Sequence, residues 1–456
     1  MSLGRAVHQK PGETGRNAGG RGEAMPEAVR DEARTARYET GSLGRDGLLA
    51  QVLAKANMEA AWKRVKSNRG SAGVDGLSIA ETAASLRVHW PRIRESLLDG
   101  SYRPCPVRRV QIPKPDGGVR ELGIPTVTDR LIQQALLQVL QRKIDPTFSD
   151  HSYGFRPGRR AHDAVRQAQR YVQDGYRVVV DVDLEKFFDR VNHDILMERL
   201  ARQIDDKAVL RLIRRYLVAG IMDGGVVMER YEGTPQGGPL SPLLANVLLD
   251  EVDRELERRG HRFVRYADDC NVYVRSRRAG ERVLVGLRKL YDRLHLKVNE
   301  VKTAVAPATG RKFLGYALWR SAGGQIKCAV ARKALETFKQ RIRQMTRRSG
   351  GRNLPEIAER LRAYMPGWKA YFQLAQTPKV FRELDAWLRH RLRAVQLKHW
   401  RRGTTMYREL KAMGASETDA RKVAANSRCW WRNSRMALNR AMPIAYFDRL
   451  GVPRLS

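Results

Sequence analysis

The chain has 456 residues, with 86 Lys plus Arg against 49 Asp plus Glu and a formal net charge of +37. This length is enough for two to four domains, each with its own core. The charge excess favours a polyanionic partner, with nucleic acid ahead of an acidic membrane surface. No apolar run approaches the roughly 20 residues that cross a bilayer, so we expect no membrane partner and a cytoplasmic location.

The amino-terminal segments differ in composition. Residues 1–43 are rich in Gly, Arg, Glu and Ala with almost no large apolar side chains, which predicts a disordered segment. Apolar spacing predicts helices between residues 44 and 100, separated by the turn residues GSAGVDG. The stretch VRRVQIPKPDGGVRELGIP, residues 107–125, alternates apolar and polar residues on both sides of a turn signal and predicts a β-hairpin.

Two later stretches carry strands that end at carboxylates. YRVVVDVDLEKFFDRVNHD, residues 176–194, begins as a buried strand and leaves it after Asp183. HRFVRYADDCNVYV, residues 261–274, predicts two strands with Asp268 and Asp269 at the tip between them. Between these stretches, GTPQGGPLSPLLANVLLDEVDREL predicts a loop followed by a helix that begins near Ser241. This alternation of short strands and helices predicts an α+β domain.

The three aspartates point to a metal site if their strands are neighbours. Three unpaired carboxylates would repel one another and raise their own pKa values unless divalent cations lay among them. Oxygen ligands suit Mg²⁺, and two such ions can activate a 3′-hydroxyl and stabilise departing pyrophosphate. The alternative for an isolated ADD is a polar turn without a metal.

The last part of the chain is strongly basic. Residues 331–456 carry 29 Lys plus Arg and 9 Asp plus Glu, a net charge of +20. The spacing predicts helices with an apolar stripe and a basic face, interleaved with Trp and Tyr. This pattern favours phosphate contact with base stacking, and the alternative is a basic face that is only solvated. The four cysteines are far apart and form no CxxC pair, which argues against a zinc ribbon or a disulfide framework.

Several blocks together resemble a known family. YADD at residues 266–269 resembles the active-site box of reverse transcriptases, and its Ala is the form found in group II intron-encoded proteins. The blocks in the family's order are QIPKPDGGVRELGIPTVTDRLIQQAL, HSYGFRPGRRAHDAV, VDLEKFFDRVNHD, GTPQGGPLSPLLANVLLDEVD, LKVNEVKTAV and RKFLGY. WKAYFQLAQTPKVFRELDAWLRHRLRAVQLKHWRR is similar to the maturase, or X, domain.

The resemblance implies an α+β right-hand polymerase, with fingers and palm, followed by an α-helical thumb/maturase domain and a basic C-terminal tail. The implied segments are a fingers extension over 44–100, fingers and palm over 101–325, a thumb/maturase domain over 326–415 and a DNA-binding tail over 416–456. The tail has only Cys429 beyond the maturase region, so we expect it to carry no endonuclease.

The resemblance also implies roles for individual residues. Asp183 and Asp268 would be the main ligands of two Mg²⁺ ions, with Asp269 as a weaker third ligand. The implied nucleotide-binding residues are Lys114, Arg120, Phe188 and Gln236. Phe188 would abut the sugar and exclude a 2′-hydroxyl, although an FF pair after a strand is also typical of a core.

Further roles concern nucleic acid. The implied template and primer residues are Pro235, Gly237 and Lys302. The candidate RNA-binding residues of the maturase region are Trp368, Lys369, Tyr371, Arg389, Arg391 and Trp400.

The function that this resemblance implies is a bacterial RNA-directed DNA polymerase that also acts as a maturase, promoting splicing of its intron and supporting retrohoming. Its expected partners are group II intron RNA, an RNA template with a DNA primer, deoxynucleoside triphosphates and target DNA, and it would associate with the nucleoid when acting on DNA. One alternative is a related reverse transcriptase detached from its intron and used in phage defence or DNA repair. Another is a non-catalytic RNA-binding splicing factor.

Overall fold

The computed structural model describes residues 47–456 apart from 114–117, 224–225, 229–230, 235–236 and 436–437. The chain divides into two compact units, whose described parts are residues 47–329 and residues 330–456. The segment predicted to be disordered, residues 1–43, lies outside the described residues. No helix in the described part of the chain is both long and apolar enough to cross a membrane.

The first unit combines helices with three small sheets. Its helices are α1 (Leu48–Val52), α2 (Lys55–Ser67), α3 (Ile79–Leu98), α4 (Val127–Ile144), α5 (Ala161–Gln173), α6 (His193–Ala201), α7 (Lys207–Val218), α8 (Ser241–Arg258) and α9 (Arg277–Arg293). Its strands are β1 (Val107–Pro113), β2 (Val119–Ile124), β3 (Val178–Val182), β4 (Ile221–Asp223), β5 (Val226–Met228), β6 (Arg262–Tyr266), β7 (Asp269–Val274), β8 (Ala304–Pro307), β9 (Lys312–Phe313), β10 (Tyr316–Arg320) and β11 (Ile326–Val330), the last of which reaches the boundary.

Side-chain caps fix where several of these helices begin. The Ser78 hydroxyl accepts from the Glu81 backbone N–H at 3.3 Å, while the Glu81 carboxylate accepts from the Ser78 N–H at 2.8 Å, so α3 begins with a capping box. The side chains of Asn192 and Asp206 cap α6 and α7 by accepting from backbone N–H groups of the first turn, without a reciprocal bond. These caps satisfy backbone donors that have no partner within the helix.

The two strands of the hairpin predicted over residues 107–125 are present as β1 and β2. β1 pairs antiparallel with β2 from Arg108–Ile124 to Pro113–Val119, and β1 also pairs with β4, giving the sheet order β2-β1-β4-β5. The turn residues 114–117 lie outside the described part of the chain.

A second four-stranded sheet has the order β6-β7-β3-β8, with antiparallel pairing throughout. Alternate side chains of a strand face opposite sides. Val180 and Val182 therefore join the main core formed with α8 and α9, which also includes the fully buried Phe263. Val179 is on the other face, where it lines a small cavity together with Val165 of α5. A third sheet has the order β11-β10-β9.

The second unit is helical beyond the end of β11. Its helices are α10 (Arg332–Met345), α11 (Leu354–Tyr371), α12 (Pro378–Trp400), α13 (Gly403–Ala412), α14 (Glu417–Ala425), α15 (Trp430–Asn433), α16 (Leu438–Ala441) and α17 (Ile444–Arg449). The end of the chain packs within this unit, because Phe447 is 1% exposed and the Asp385 carboxylate of α12 accepts from the backbone N–H groups of Leu455 and Ser456, each at 2.9 Å.

Candidate active site

The two adjacent aspartates lie at a tight turn between β6 and β7. Tyr266 and Asp269 are the last paired residues of the two strands, so Ala267 and Asp268 form the turn itself. Ala267 has φ +56°, in the left-handed region that L-residues seldom adopt. The prediction of a hairpin tip at ADD is confirmed.

The third aspartate reaches the same edge of the sheet. β3 pairs with β7 up to Val182 and Cys270. One further step along this antiparallel register sets Asp183 across from Asp269. The sheet therefore brings Asp183 beside the ADD turn, as the sequence predicts.

The charges at this edge are crowded. Burial of its carboxyl group, followed by the negative charges of Asp268, Asp181 and Asp183, raises the pKa of Asp269 to about 7. Asp269 as a residue is nevertheless exposed to solvent. We therefore attribute the raised pKa mainly to repulsion from the neighbouring aspartates, whose proximity follows from the strand pairing.

Lys302 lies at the carboxylates. Its Nζ is 3.6 Å from Asp183 Oδ2, and both side chains are partly exposed. The segment around it is bound to Asp183, because the Asn299 N–H donates to the Asp183 carbonyl at 2.8 Å and the Asp183 N–H donates to Thr303 Oγ1 at 3.2 Å. The residue assigned to the primer end from sequence is therefore the cation nearest to Asp183 in the described structure.

Asp181 is a fourth acidic residue that the sequence analysis missed. It lies on the same face of β3 as Asp183, and its Oδ2 accepts from Arg311 Nε at 3.0 Å. Burial raises the pKa of Asp181, and the Arg311 charge opposes that shift. Arg311 also donates to the Lys302 carbonyl at 3.1 Å. The signal was present in VVVDVD, where two aspartates alternate with valines.

Phe188 lies in the 3-10 turn that follows Asp183, Phe187–Asp189. Phe187 is 3% exposed and belongs to the core, whereas Phe188 is half-buried and packs against Phe187 with ring centroids 5.1 Å apart. The Thr234 N–H donates to the Phe188 carbonyl at 2.7 Å. The loop that begins GTPQGG thus runs beside Phe188.

The other predicted polymerase residues are described only in part. Lys114, Pro235 and Gln236 lie outside the described residues, and so does the Arg120 side chain, although the Arg120 backbone pairs with Ile112. Gly237 has φ +128°, and a Cβ at this position would lie 2.7 Å from the Gly123 carbonyl oxygen. Its proximity to the β2 backbone requires a glycine.

Two of the residues predicted to bind RNA, Trp368 and Tyr371, lie beside other aromatic rings of the helical unit. Trp368 is a core residue, 6% exposed, with ring centroids 4.4 Å from Phe338 and 4.6 Å from Phe372. A ring enclosed in this way has no face on which a base could stack, so assigning Trp368 to RNA binding from its sequence context was wrong. Tyr371 is half-buried beside Phe372.

The remaining candidates of this unit are more accessible. Lys369 is exposed and donates from Nζ to the Arg454 carbonyl at 3.1 Å, and Arg391 donates from Nε to Thr346 Oγ1 at 2.8 Å. Trp400 is half-buried at the end of α12. Arg389 is half-buried and lines a cavity with Arg393.

Comparison with known proteins gives two matches to family models. The reverse transcriptase (RNA-dependent DNA polymerase) family matches residues 112–318, and the group II intron, maturase-specific domain matches residues 335–414. The first match includes all three predicted catalytic aspartates. The chain carries a reverse transcriptase domain followed by a group II intron maturase-specific domain. The likeness to group II intron-encoded proteins, the mixed helix-and-sheet fold and the helical C-terminal region predicted from sequence are confirmed.

The chain is similar in sequence to several curated proteins. It is 40% identical over 191 residues to "Protein YkfC" of Escherichia coli, covering 41% of this chain and 50% of that protein. It is 39% identical over 195 residues to "Group II intron-encoded protein LtrA" of Lactococcus lactis, covering 42% of this chain and 32% of LtrA. A "Putative COX1/OXI3 intron 1 protein" of Saccharomyces cerevisiae is 32% identical over 198 residues, covering 43% of this chain and 24% of that protein. The matched part thus spans half or less of each relative's length.

The donor chemistry at the aspartates fits Mg²⁺, the metal that the reverse transcriptase family uses. The groups are oxygen donors only, and their mutual repulsion calls for a counter-charge. Within the part of the chain that the structure describes, however, no three His, Cys, Asp or Glu side chains are grouped closely enough to hold a metal ion. The counter-charge beside Asp183 is the Lys302 ammonium.

Proposed function

We propose that this protein is an RNA-directed DNA polymerase that also binds group II intron RNA as a maturase. The observation that supports this most directly is the pairing of β3 with β7 up to Val182 and Cys270, since Asp183 and Asp269 are the next residues in this register and both lie within the reverse transcriptase match. The maturase-specific match over residues 335–414 supports the second activity. The relative named as a group II intron-encoded protein, LtrA, supports the same assignment.

The catalytic roles follow from the positions of the acidic side chains. Asp183 and Asp268 would hold two Mg²⁺ ions, with Asp269 as a third ligand, and the ions would supply activation of a 3′-hydroxyl and neutralise phosphate charge. Binding would replace the Lys302 ammonium as the counter-charge of Asp183. Ligation requires Asp269 in its ionised form, because a protonated carboxyl is a poor ligand.

The incoming nucleotide would be bound by Phe188 and by the β1–β2 hairpin of the same unit. Phe188 lies five residues after Asp183, partly exposed, where its ring can border the sugar of an incoming nucleotide. The β1–β2 hairpin carries Lys114 and Arg120 on either side of its turn. Two cations on a hairpin are suited to a triphosphate, since they can close over the phosphate chain and release pyrophosphate on opening.

Primer extension tests this function. Purified protein should extend a DNA primer on an RNA template with Mg²⁺, and the Asp268→Asn variant should lose extension while keeping its affinity for RNA. RNA binding is the control, because a misfolded variant would lose both properties. Extension by Asp268→Asn at the wild-type rate would refute the site assignment.

The maturase role needs a separate assay. The protein should bind a group II intron transcript and accelerate its self-splicing at low Mg²⁺ concentration, and Asp268→Asn should do so as well as wild type. If the protein extends primers normally but does not affect splicing of the intron that flanks its gene, the maturase role would be refuted and only the polymerase function would stand.

A further inference from the structure

A buried ion pair lies directly behind the catalytic turn. Arg265 of β6 is 1% exposed and Asp253 of α8 is fully buried. The guanidinium donates from Nε to Asp253 Oδ1 at 2.8 Å and from Nη2 to Asp253 Oδ2 at 2.5 Å. This bidentate geometry fixes the plane of the guanidinium relative to the helix.

The third nitrogen of the Arg265 guanidinium, Nη1, donates to the turn between β6 and β7. Arg265 Nη1 donates to the Ala267 carbonyl at 2.9 Å and to Asn246 Oδ1 at 2.8 Å. Asn246, 1% exposed on α8, donates in turn to the Gly154 carbonyl at 2.9 Å. The peptide bond between Ala267 and Asp268 is thereby bonded to a side chain that α8 holds in place.

The opposite side of the turn is confined by the HSYGF segment. Arg265 and His151 are joined by a backbone hydrogen bond, and so are Tyr153 and Arg265, each at 2.9 Å. A Cβ on Gly154 would lie 2.1 Å from the Ala267 nitrogen, so this backbone is in direct contact with the turn. Ala267 with φ +56° is thus enclosed between two elements.

Stability by itself gives no reason for a charged pair at this place. Removing two charges from water costs free energy that their attraction does not always repay, and apolar residues of similar volume are often as stable or more stable. The specific contribution of the pair is the hydrogen bond to Ala267, which an apolar pair could not make.

We propose that Arg265, acting with Asp253 and Asn246, is a positioning residue that sets the place of Asp268 and Asp269 for metal binding and nucleotidyl transfer. The proposal rests on the polymerase function proposed above. It assigns these side chains no contact with substrate. Their effect is transmitted through the Ala267 carbonyl to the two carboxylates that follow.

The test replaces the pair by apolar residues in the double variant Arg265→Met with Asp253→Leu. The measured quantities are the thermal unfolding midpoint, the affinity for Mn²⁺ by electron paramagnetic resonance without nucleic acid, and kcat and KM for the nucleotide in primer extension. We expect an unfolding midpoint near that of wild type, weaker Mn²⁺ binding and a kcat lowered about 100-fold, the loss that a misplacement of about 1 Å can cause. The KM should stay within about twofold, because nucleotide contacts are intact.

Two further variants separate positioning from folding. Arg265→Lys keeps the charge but not the planar fork, and should recover part of the lost kcat. Asn246→Ala keeps the ion pair and should lower Mn²⁺ affinity and kcat less than the double variant does. The matched control is Arg199→Met with Glu251→Leu, which removes an ion pair of 2.6 Å between α6 and α8 and should leave kcat and Mn²⁺ affinity unchanged.

Wild-type kcat and Mn²⁺ affinity in the folded double variant would overturn the proposal. If the double variant does not fold, Asn246→Ala decides by the same two quantities, and unchanged values overturn the proposal. If the wild-type protein extends no primer, the polymerase function fails, while the Mn²⁺ comparison still decides the positioning role because it needs no nucleic acid.

Discussion

At the scale of single residues, two neighbouring phenylalanines have different environments. Phe187 is enclosed in the core, while the next ring, that of Phe188, is half-buried. The cause is the backbone after β3, where Lys186 has φ +48° and begins a 3-10 turn. The two rings are in contact, but only Phe188 keeps exposed surface.

Phe188→Ala should let the enzyme incorporate ribonucleotides far better, with only a modest fall in the use of deoxynucleotides. A packed pocket admits an added hydroxyl only by displacing a side chain, which costs roughly 1 to 3 kcal/mol, or about 5- to 150-fold in discrimination. The measurement is kcat/KM for matched deoxy- and ribonucleotides. Phe187→Ala is the control, because loss of a core ring should destabilise the fold by about 3 to 5 kcal/mol and impair both substrates in parallel. An unchanged ratio in Phe188→Ala would contradict the assignment.

Lys302→Gln should strengthen divalent metal binding, because its ammonium competes with a metal for Asp183. The pair is partly exposed and therefore worth at most about 1 kcal/mol, so the gain in Mn²⁺ affinity should be no more than about fivefold. Titration of the apoprotein with Mn²⁺ measures it. Lys297→Gln is a matched control, since its Nζ lies 3.7 Å from Glu185 rather than from a proposed ligand. Weaker binding in Lys302→Gln alone would count against competition.

At the scale of elements, aromatic residues of neighbouring helices in the helical unit have different environments. The aromatic residues of α10 and α11 form the interior of the helical unit, with Trp368 between Phe338 and Phe372. Trp387 of α12 is half-buried instead, with the guanidinium carbons of Arg343 and Arg391 at 5.7 and 5.5 Å from its ring centroid. Helical spacing identifies an apolar stripe but does not separate its buried rings from those at its border.

Trp368→Ala should destabilise the protein by about 3 to 5 kcal/mol, because it opens a cavity among aromatic rings. Trp387→Ala should be milder, since its ring is partly solvated and its cation contacts are worth about 0.5 to 1 kcal/mol each. Chemical denaturation of both variants measures the difference. If Trp368→Ala kept wild-type stability and instead lost RNA affinity, the original assignment of that ring to RNA would be restored.

At the scale of the whole molecule, charge is unevenly distributed along the chain. More than half of the formal charge of +37, namely +20, is carried by residues 331–456. This region contains the maturase-specific match at 335–414. Cations at this density release counterions from a polyanion when it binds.

RNA binding should therefore depend strongly on salt. A protein that neutralises 6 to 10 phosphates loses about 10³- to 10⁵-fold in affinity between 50 and 200 mM salt. Fluorescence anisotropy with a labelled intron transcript over this range gives the slope of log affinity against log salt. Asp268→Asn should give the same slope, because a carboxylate makes no direct ion pair with phosphate. A nearly flat dependence would exclude phosphate contacts as the main attraction.

The likeness to group II intron-encoded proteins, the strands that lead to Asp183 and to the ADD turn, and the expectation of a polyanionic partner could all be predicted from the sequence. These follow from local chemistry, namely alternating apolar residues, turn residues and net charge, which are properties of contiguous segments. The order of the motif blocks added the fold class, while the roles of the aspartates stay a prediction.

The residues that surround those aspartates could not be predicted from the sequence and are known from the folded structure. Arg265 and Asp253 are 12 positions apart on a strand and a helix, and the Arg311 that binds Asp181 is 130 positions away from it. Packing brings such distant segments together and removes them from water. A pattern within one segment therefore does not predict which residues will be partners. For the same reason sequence assigned Trp368 to the surface, since burial depends on which other helices cover a ring.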